Sequence, residues 1–489
     1  MPLFDLSFLK SDSHSVRLIK SVFWNLAGNS FSKILLMLAT IFVAKLLGPE
    51  DFGKWSIVQS TTMIFSLLMG FGIGVPATKY LAEFRLSDKH KAGRFLSISL
   101  FFSVFIGLFS MLVLILSAEF IAINILKDAS LVTIIKLSSF FLFFNSIFGV
   151  LVGALSGLER FKQIAFSTLL SGIFGAFIIV WATNLYLLEG VVWGYSIFYF
   201  VSDVLLLYFL VMEAKSMNIV FSLDFIKYKE ECAQFFNFSM PAFISAAIGG
   251  PTTWGVYAIA ANLPNGFFYI GIFNVAKILQ NTLIQIGTQL NSPLLALIGN
   301  IEKSKHADRL NFAVPWLVIT LLTFPFILVP EIFTFFFKND NYNVPELDMV
   351  VAMVAFTTYV MLFKQSFARK IITEDLMWWG VIENIFWAIS ILIAVPLLIE
   401  KQNVLGLPNA FALVYFVDLL ILIPFYYRKG LIPRELISWR AILCWLIVFG
   451  CLGMNFIDIS MQLKLTIGLA SILIELFLIY SLFFRRYII

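Results

Sequence analysis

The chain has little charge and few cysteines. Of its 489 residues only 13% are charged, whereas 60% are hydrophobic and the mean hydropathy is +0.94. Soluble globular domains carry about 25% charged residues, so a water-soluble chain and a disordered chain are both excluded. The three cysteines, Cys232, Cys444 and Cys451, form no CxxC pair. Their spacing indicates neither a disulfide framework nor a zinc or iron–sulfur site, and the sequence suggests no metal and no cofactor.

The motifs of common enzymes are also missing. The sequence contains no HExxH motif, no phosphate-binding P-loop and no arrangement typical of a Ser-His-Asp triad. The glycine-rich stretch at 70–74 lies in an apolar run ahead of Pro76. It is typical of a helix break that either lines a cavity or is simply tolerated. We therefore predict that the protein is not an enzyme.

Long apolar runs dominate the sequence. A helix that crosses a bilayer needs about 20 apolar residues. Runs of about that length lie at 21–46, 55–81, 95–117, 131–156, 163–184, 190–211, 236–260, 266–289, 311–334, 347–368, 377–399, 408–427, 441–460 and 463–484. They predict an all-α integral membrane protein with about 14 transmembrane helices.

The longest polar stretch between these predicted spans follows the sixth span and suggests two parallel repeats of six helices. The predicted domains are a cytoplasmic N-terminal arm at 1–20, an N-lobe at 21–213, a cytoplasmic linker at 214–235, a C-lobe at 236–430 and a C-terminal helix pair at 431–489. Within the fourth span, Gly149, Gly153 and Gly157 form a GxxxGxxxG pattern that predicts close helix packing.

Lys and Arg are distributed unevenly between alternate loops. About two thirds of the 34 Lys and Arg residues lie in the segments that share a side with the N-terminus. Cytoplasmic loops carry an excess of these residues, so both termini are predicted to be cytoplasmic. The net charge of +5 therefore reflects membrane topology and does not indicate nucleic-acid binding.

Two lysines lie near the centre of predicted spans. Lys33 is about 18 Å from either end of the first span, and Lys277 is placed similarly in the eighth. An ion at that depth cannot reach the membrane surface. Each lysine therefore either pairs with an internal carboxylate, such as Asp203, Asp418 or Glu475, or faces a cavity that binds an anionic ligand. Both interpretations stay open.

Amide side chains accompany these two lysines. Together with them, the candidates for substrate binding are Asn25, Asn29, Gln59, Asn274 and Gln285. Interhelical hydrogen bonds explain such amides equally well. Lysines nearer the span ends, such as Lys364, are expected to snorkel towards the membrane surface.

Two stretches of the first hairpin resemble a known family. AKLLGPEDFGKWSIVQS at 44–60 and LMGFGIGVPATKYLAEFR at 68–85 resemble the polysaccharide transporter family. That family includes Wzx-type O-antigen flippases within the multidrug/oligosaccharidyl-lipid/polysaccharide exporter superfamily. GALSGLERFKQ at 153–163 is similar to the corresponding loop of the family. After residue 300 the resemblance is one of topology alone.

The resemblance implies a MATE-like pair of lobes, with a V-shaped cavity, in the bacterial cytoplasmic (inner) membrane. Such proteins carry an isoprenoid (undecaprenyl) diphosphate-linked oligosaccharide to the outer leaflet by alternating access, for O-antigen or exopolysaccharide synthesis. The implied partners are this lipid-linked substrate, membrane lipids and polysaccharide assembly proteins. By position, Lys33 and Lys277 fit the cavity cations that the family is thought to use for the phosphates of the ligand.

The missing P-loop agrees with transport that is driven by the membrane potential or by proton or sodium antiport. The candidates for ion coupling are Asp203, Glu383 and Asp418. An antiporter for drugs or cations from the same superfamily is the nearest alternative, although the first span holds Lys33 and no carboxylate. A polysaccharide polymerase or ligase is a more distant alternative, since no long loop is left for its catalytic residues.

Overall fold

A computed structural model of the chain describes residues 14–70, 74–220, 248–291, 294, 305–337, 342–374, 376–457 and 459–483. All regular secondary structure within these ranges is helical, which confirms the predicted all-α class. Most of the predicted N-terminal arm, the centre of the 70–74 glycine stretch, residues 221–235 of the predicted linker, and Cys232 lie outside the described residues. Cys444 and Cys451 are buried free thiols.

Within the described residues the helices follow the predicted spans, whereas residues 236–247 of the seventh predicted span lie outside the described residues. Their bounds are α1 His14–Gly70, α2 Gly74–Phe84, α3 Lys89–Glu119, α4 Leu131–Gly157, α5 Phe161–Ser216, α6 Gly249–Ala261, α7 Gly266–Thr288, α8 Lys305–Leu328, α9 Glu331–Thr334, α10 Leu347–Thr373, α11 Met377–Gln402, α12 Gly406–Arg428, α13 Trp439–Gly453 and α14 Met461–Phe483. Within the described residues, 10 helices are long and apolar enough to cross a membrane. The protein is therefore an integral membrane protein.

Three of these membrane helices contain a break that divides them in two. The breaks lie at Gly48 (φ 75°) in Phe31–Leu67, at Leu187 (φ 48°) in Phe161–Ser216 and at Asn403 (φ 50°) in Trp378–Arg428. A positive φ is incompatible with a right-handed helix, so the chain changes direction at each of these residues. The predicted loops after the first, fifth and eleventh spans lie at the same positions.

The chain divides into two compact units. Unit 1 comprises Met1–Leu47 and Lys54–Trp254, and unit 2 comprises Gly48–Gly53 and Gly255–Ile489. Helices α13 and α14 therefore belong to the same unit as α7 to α12. The lobe boundaries that the sequence suggests remain a prediction.

In unit 1, glycines let α2 and α4 approach each other closely. A Cβ atom on Gly153 would lie 2.3 Å from the backbone oxygen of Gly74, and one on Gly157 would lie 2.7 Å from that of Thr78. The Thr78 hydroxyl donates to the Gly153 carbonyl at 2.9 Å, and Arg85 donates to the Gly157 carbonyl at 2.9 Å. Small residues thus permit the contact, as the glycine pattern predicts, and two polar side chains reinforce it.

In unit 2, aromatic side chains of α8, α10 and α13 form the centre of the core. The buried Trp316 stacks edge-on against Phe363 at 4.9 Å, and Tyr359 contacts Trp445 at 5.3 Å between ring centroids. These pairs contribute about 0.5–1.5 kcal/mol each beyond the area that they bury.

A buried carboxyl group holds α14 against this core. The fully buried Glu475 accepts hydrogen bonds from Tyr359 at 2.8 Å and from Thr320 at 3.0 Å. Its second oxygen has no partner among the described residues. Glu475 therefore pairs with hydroxyl groups and not with a lysine, and the prediction of an ion pair to Lys33 or Lys277 is wrong for this residue.

The tip of the first hairpin packs directly on α7. A Cβ atom on Gly53 would lie 1.8 Å from the backbone oxygen of Phe267, and one on Gly271 would lie 1.8 Å from that of Pro49. The two backbones touch because neither glycine carries a side chain. This contact explains why the short segment Gly48–Gly53 belongs to unit 2 although its neighbours in sequence belong to unit 1.

We expect Gly271→Ala to destabilise the protein, because its methyl group would overlap the Pro49 carbonyl. Overpacking of this kind costs about 1–3 kcal/mol in the free energy of unfolding. The apparent melting temperature of the purified protein in detergent measures the effect. The control is Gly450→Ala in α13, whose new Cβ has no atom within 4 Å. Equal melting temperatures for the two variants would contradict the close backbone contact.

Candidate functional site

Lys277 is the centre of a polar cluster in unit 2. Its ammonium group donates to the Tyr257 hydroxyl at 3.1 Å, and that hydroxyl donates to the side-chain oxygen of Asn274 at 3.0 Å. The Asn274 amide in turn donates to the Ile270 carbonyl at 2.9 Å. Two turns of α7 and one residue of α6 thus form a continuous chain of hydrogen bonds that starts at the lysine. The structure brings two predicted site residues, Lys277 and Asn274, together.

The Lys277 ammonium keeps unused hydrogen-bonding capacity. An ammonium group has three donors, and only the Tyr257 hydroxyl accepts from it within the described part of the chain. Its other contacts are with the rings of Tyr257 and Phe273, whose centroids lie at 5.4 and 5.8 Å. Among the described residues no carboxylate lies within 4 Å of it. The cluster therefore presents a half-buried cation whose charge no described side chain balances.

Gln285 and Gln59 lie apart from this cluster. Both are half-buried, Gln285 near the end of α7 and Gln59 in the second half of α1. Neither side chain makes a hydrogen bond to another described residue. Gln280, also on α7, is different, since it is buried and donates to the Thr358 hydroxyl at 3.2 Å. Gln280 therefore packs α7 against α10.

Lys33 is exposed on α1 in unit 1 and forms no ion pair with any described residue. Asn25 and Asn29 precede it on the same helix, but the positions of their side chains lie outside the described part of the structure. The substrate-binding role of these three residues stays a prediction.

Asp203 is a buried carboxyl group without a partner. It lies in the second half of α5, its side chain is 7% exposed, and neither of its oxygens accepts a hydrogen bond from a described residue. A buried polar group that lacks a hydrogen bond costs about 1–3 kcal/mol. The fold therefore keeps this carboxyl group at an energetic cost.

Glu383 and Asp418 share one cation. The Lys364 ammonium lies 2.8 Å from a Glu383 oxygen and also bonds to Asp418. Tyr426 donates to the second Glu383 oxygen at 3.3 Å, and the Lys364 ammonium lies 5.6 Å from the centroid of the Tyr415 ring. The cluster connects α10, α11 and α12 and contains two carboxyl groups for one ammonium group.

This cluster corrects two predictions. Lys364 does not snorkel to the surface, because the two carboxyl groups face it inside the bundle, where its side chain is only 13% exposed. Asp418, 1% exposed, pairs with Lys364 and not with Lys33 or Lys277. The importance of Tyr257 was also missed. Tyr257 lies 20 residues before Lys277 on a different helix, so the sequence gives no signal of their contact, which forms only when α6 and α7 come together in the folded protein.

The chain matches the model of a known protein family. Residues 18–289 match the model of a family described as "Polysaccharide biosynthesis protein". This match confirms the resemblance that the first hairpin indicates. None of the curated protein sequences compared with the chain matches it.

Solved structures of transporters share the fold. A lipid II flippase MurJ in an inward closed conformation is 16% identical with a TM-score of 0.68, and the alignment covers 95% of this chain and 99% of that one. An inward-facing multidrug resistance MATE family transporter is 13% identical with a TM-score of 0.61, covering 83% and 95%. An outward-facing MATE family transporter is 14% identical with a TM-score of 0.55, covering 88% and 99%. The predicted MATE-like fold is confirmed.

Removal of the shared cation is expected to destabilise unit 2 strongly. Lys364→Met leaves Glu383 and Asp418 without a counter-ion, and the loss of one partner from a buried ion pair costs about 3–5 kcal/mol. The triple variant Lys364→Met, Glu383→Gln, Asp418→Asn is expected to recover most of this loss, since no charge is left unbalanced. The measurement is the apparent melting temperature in detergent.

The matched control for this prediction is Gln365→Met, which changes the next residue of α10 and removes no described hydrogen bond. A melting temperature of Lys364→Met equal to that of the control, or a triple variant less stable than the single one, would refute the ionic role of Lys364.

Proposed function

Because the chain belongs to the polysaccharide biosynthesis protein family, we propose that it is a flippase for a lipid-linked oligosaccharide. Its substrate would be an oligosaccharide on an isoprenoid (undecaprenyl) diphosphate, which moves from the cytoplasmic to the outer leaflet of the bacterial cytoplasmic membrane. The product would supply the synthesis of a surface polysaccharide such as O-antigen or exopolysaccharide. In this proposal both termini are cytoplasmic, as the distribution of Lys and Arg predicts.

The observation that carries the proposal is the unbalanced charge of Lys277. Its ammonium retains donors that no described residue occupies, and the oxygens of a diphosphate are strong acceptors for such donors. A buried cation inside a membrane protein is costly unless an anion is present during function. A diphosphate lipid provides such an anion. A carrier of cationic drugs would instead require a free carboxylate at this position.

We propose that the other predicted site residues also contact the substrate. Asn274 is held beside Lys277 through Tyr257, so its orientation is fixed by two hydrogen bonds. We propose that Gln285 in unit 2, and Lys33, Asn25, Asn29 and Gln59 in unit 1, bind further hydroxyl and phosphate groups of the substrate.

The membrane potential supplies part of the driving force in this proposal. Outward movement of negative charge across an inside-negative membrane gains about 2.3 kcal/mol per charge for each 100 mV. Asp203 is the best candidate for additional coupling to a proton or a sodium ion, because its carboxyl oxygens have no partner among the described residues. Glu383 and Asp418 are weaker candidates, because Lys364 already neutralises part of their charge.

Deletion of the gene is expected to trap the substrate inside the cell. Isoprenoid diphosphate oligosaccharides should accumulate in the cytoplasmic leaflet, and the surface polysaccharide should be lost. Mass spectrometry of extracted lipids, with a leaflet-selective reagent, measures both and identifies the sugars. Normal surface polysaccharide with altered tolerance to drugs or cations would instead support the antiporter, and unpolymerised units at the surface would support a polymerase.

Lys277→Ala is expected to reduce export roughly tenfold, because a hydrogen bond to a charged group contributes about 1.5–3 kcal/mol. Lys277→Arg keeps the charge and should retain much of the export. The control is Lys136→Ala, which removes an exposed lysine from α4. The measurement is surface polysaccharide per unit of membrane protein, with the protein quantified by immunoblot. Export by Lys277→Ala at the level of the control would show that this cation does not bind substrate.

A further inference from the structure

A basic pocket lies in unit 2, apart from the Lys277 cluster. Its volume is about 1330 Å³, and it lies among the first turn of α8, the ends of α12 and α14, and the start of α13. Its charged lining consists of Asp308, Arg309, Arg428, Arg434, Glu435 and Arg440. Four arginines and two carboxylates thus surround a space large enough for a phosphorylated headgroup.

Both carboxylates of the pocket are already paired. Glu435 lies 2.5 Å from Arg309, and Asp308 lies 2.8 Å from Lys370. The pairing leaves Arg428, Arg434 and Arg440 without a carboxylate partner within the described part of the chain. The pocket therefore carries a positive charge that its own acidic residues do not balance.

The three remaining arginines are accessible to a ligand. Arg428 and Arg434 are exposed, and Arg440 is half-buried. Arg440 is oriented by the Trp439 ring, whose centroid lies 5.6 Å from its guanidinium carbon, and by the Ser481 carbonyl at 3.5 Å. These contacts use few of its five donors. A planar guanidinium group is well suited to bind two phosphate oxygens at once.

Aromatic side chains place the pocket at the level of the membrane surface. Trp439 is 67% exposed and Tyr427 is 40% exposed, and both line the pocket. Exposed Trp and Tyr residues at the ends of membrane helices lie among the lipid headgroups. The predicted topology puts these helix ends on the cytoplasmic side, where basic pockets between helices bind phosphate-bearing headgroups.

We propose that this pocket binds a phosphate group at the cytoplasmic surface of the membrane, through Arg428, Arg434 and Arg440. The phosphate belongs either to an anionic lipid or to a soluble phosphorylated compound, since the chemistry of recognition is the same for both. The site is separate from Lys277 and does not depend on the proposed transport function.

The test uses the purified full-length protein in phosphatidylcholine nanodiscs. One arm measures binding of sodium pyrophosphate by calorimetry. The other arm adds phosphatidylglycerol to the nanodiscs and measures, by native mass spectrometry, how much of it remains bound. The variant Arg428→Gln, Arg434→Gln, Arg440→Gln removes the proposed site. The control variant Lys89→Gln, Lys215→Gln, Lys429→Gln removes three exposed charges from the same predicted side without changing the pocket.

We expect the wild-type protein and the control variant to bind in at least one arm, and the pocket variant to bind roughly tenfold more weakly or not at all. Binding of pyrophosphate alone identifies a soluble ligand, and retention of phosphatidylglycerol alone identifies a lipid. If the pocket variant does not fold, the single variant Arg434→Gln, on an exposed turn, is expected to weaken binding severalfold. Absence of binding in both arms, or equal loss in the pocket and control variants, would overturn the proposal.

Discussion

Polar groups inside a bilayer have no water to bond with, so each must find its partner within the protein. The described residues meet this requirement in three ways. Hydroxyl groups bond to the preceding turn of their own helix, as Thr61 does to the Ile57 carbonyl at 2.8 Å. Buried charges lie against amides or opposite charges. For example, Arg369 is only 4% exposed, and it donates to the Asn311 side chain at 2.7 Å. Glu475 uses hydroxyl donors from two other helices.

Several buried polar atoms lack a partner within the described part of the chain, and two unsatisfied groups bear on the proposed function. The Lys277 ammonium has too few acceptors, and the Asp203 carboxyl group has no donor, within the described part of the chain. Neither group contributes to the packing of its helices in the way that Lys364 or Glu475 does. In the function that we propose, the transport of an anion with ion coupling would use both groups.

The helices could be predicted from the sequence because hydropathy is a local property of the chain. The partners of individual charged side chains could not be predicted from the sequence. Lys364 and Asp418 are 54 residues apart, and only the packing of α10 against α12 brings them together. The Gly-Pro pair at Gly48 indicates the break there. Leu187 also adopts a positive φ, but leucine is not a residue that predicts a turn. The sequence and the structure both place Lys277 near the middle of its helix, but only the structure shows its contact with Tyr257.

The motif that carries the family resemblance contributes a close helix contact. Gly53, within the first hairpin, contacts the backbone of α7 so closely that a side chain is excluded. Apart from Gln59, the residues proposed to bind substrate lie outside the stretches that carry the resemblance. The most direct test of the proposed flippase function is translocation by the purified protein in sealed vesicles that contain a fluorescent isoprenoid diphosphate oligosaccharide. We expect the protein to move this lipid between leaflets and not to move a lipid without the diphosphate. A rate equal to that of protein-free vesicles under an inside-negative potential would contradict it.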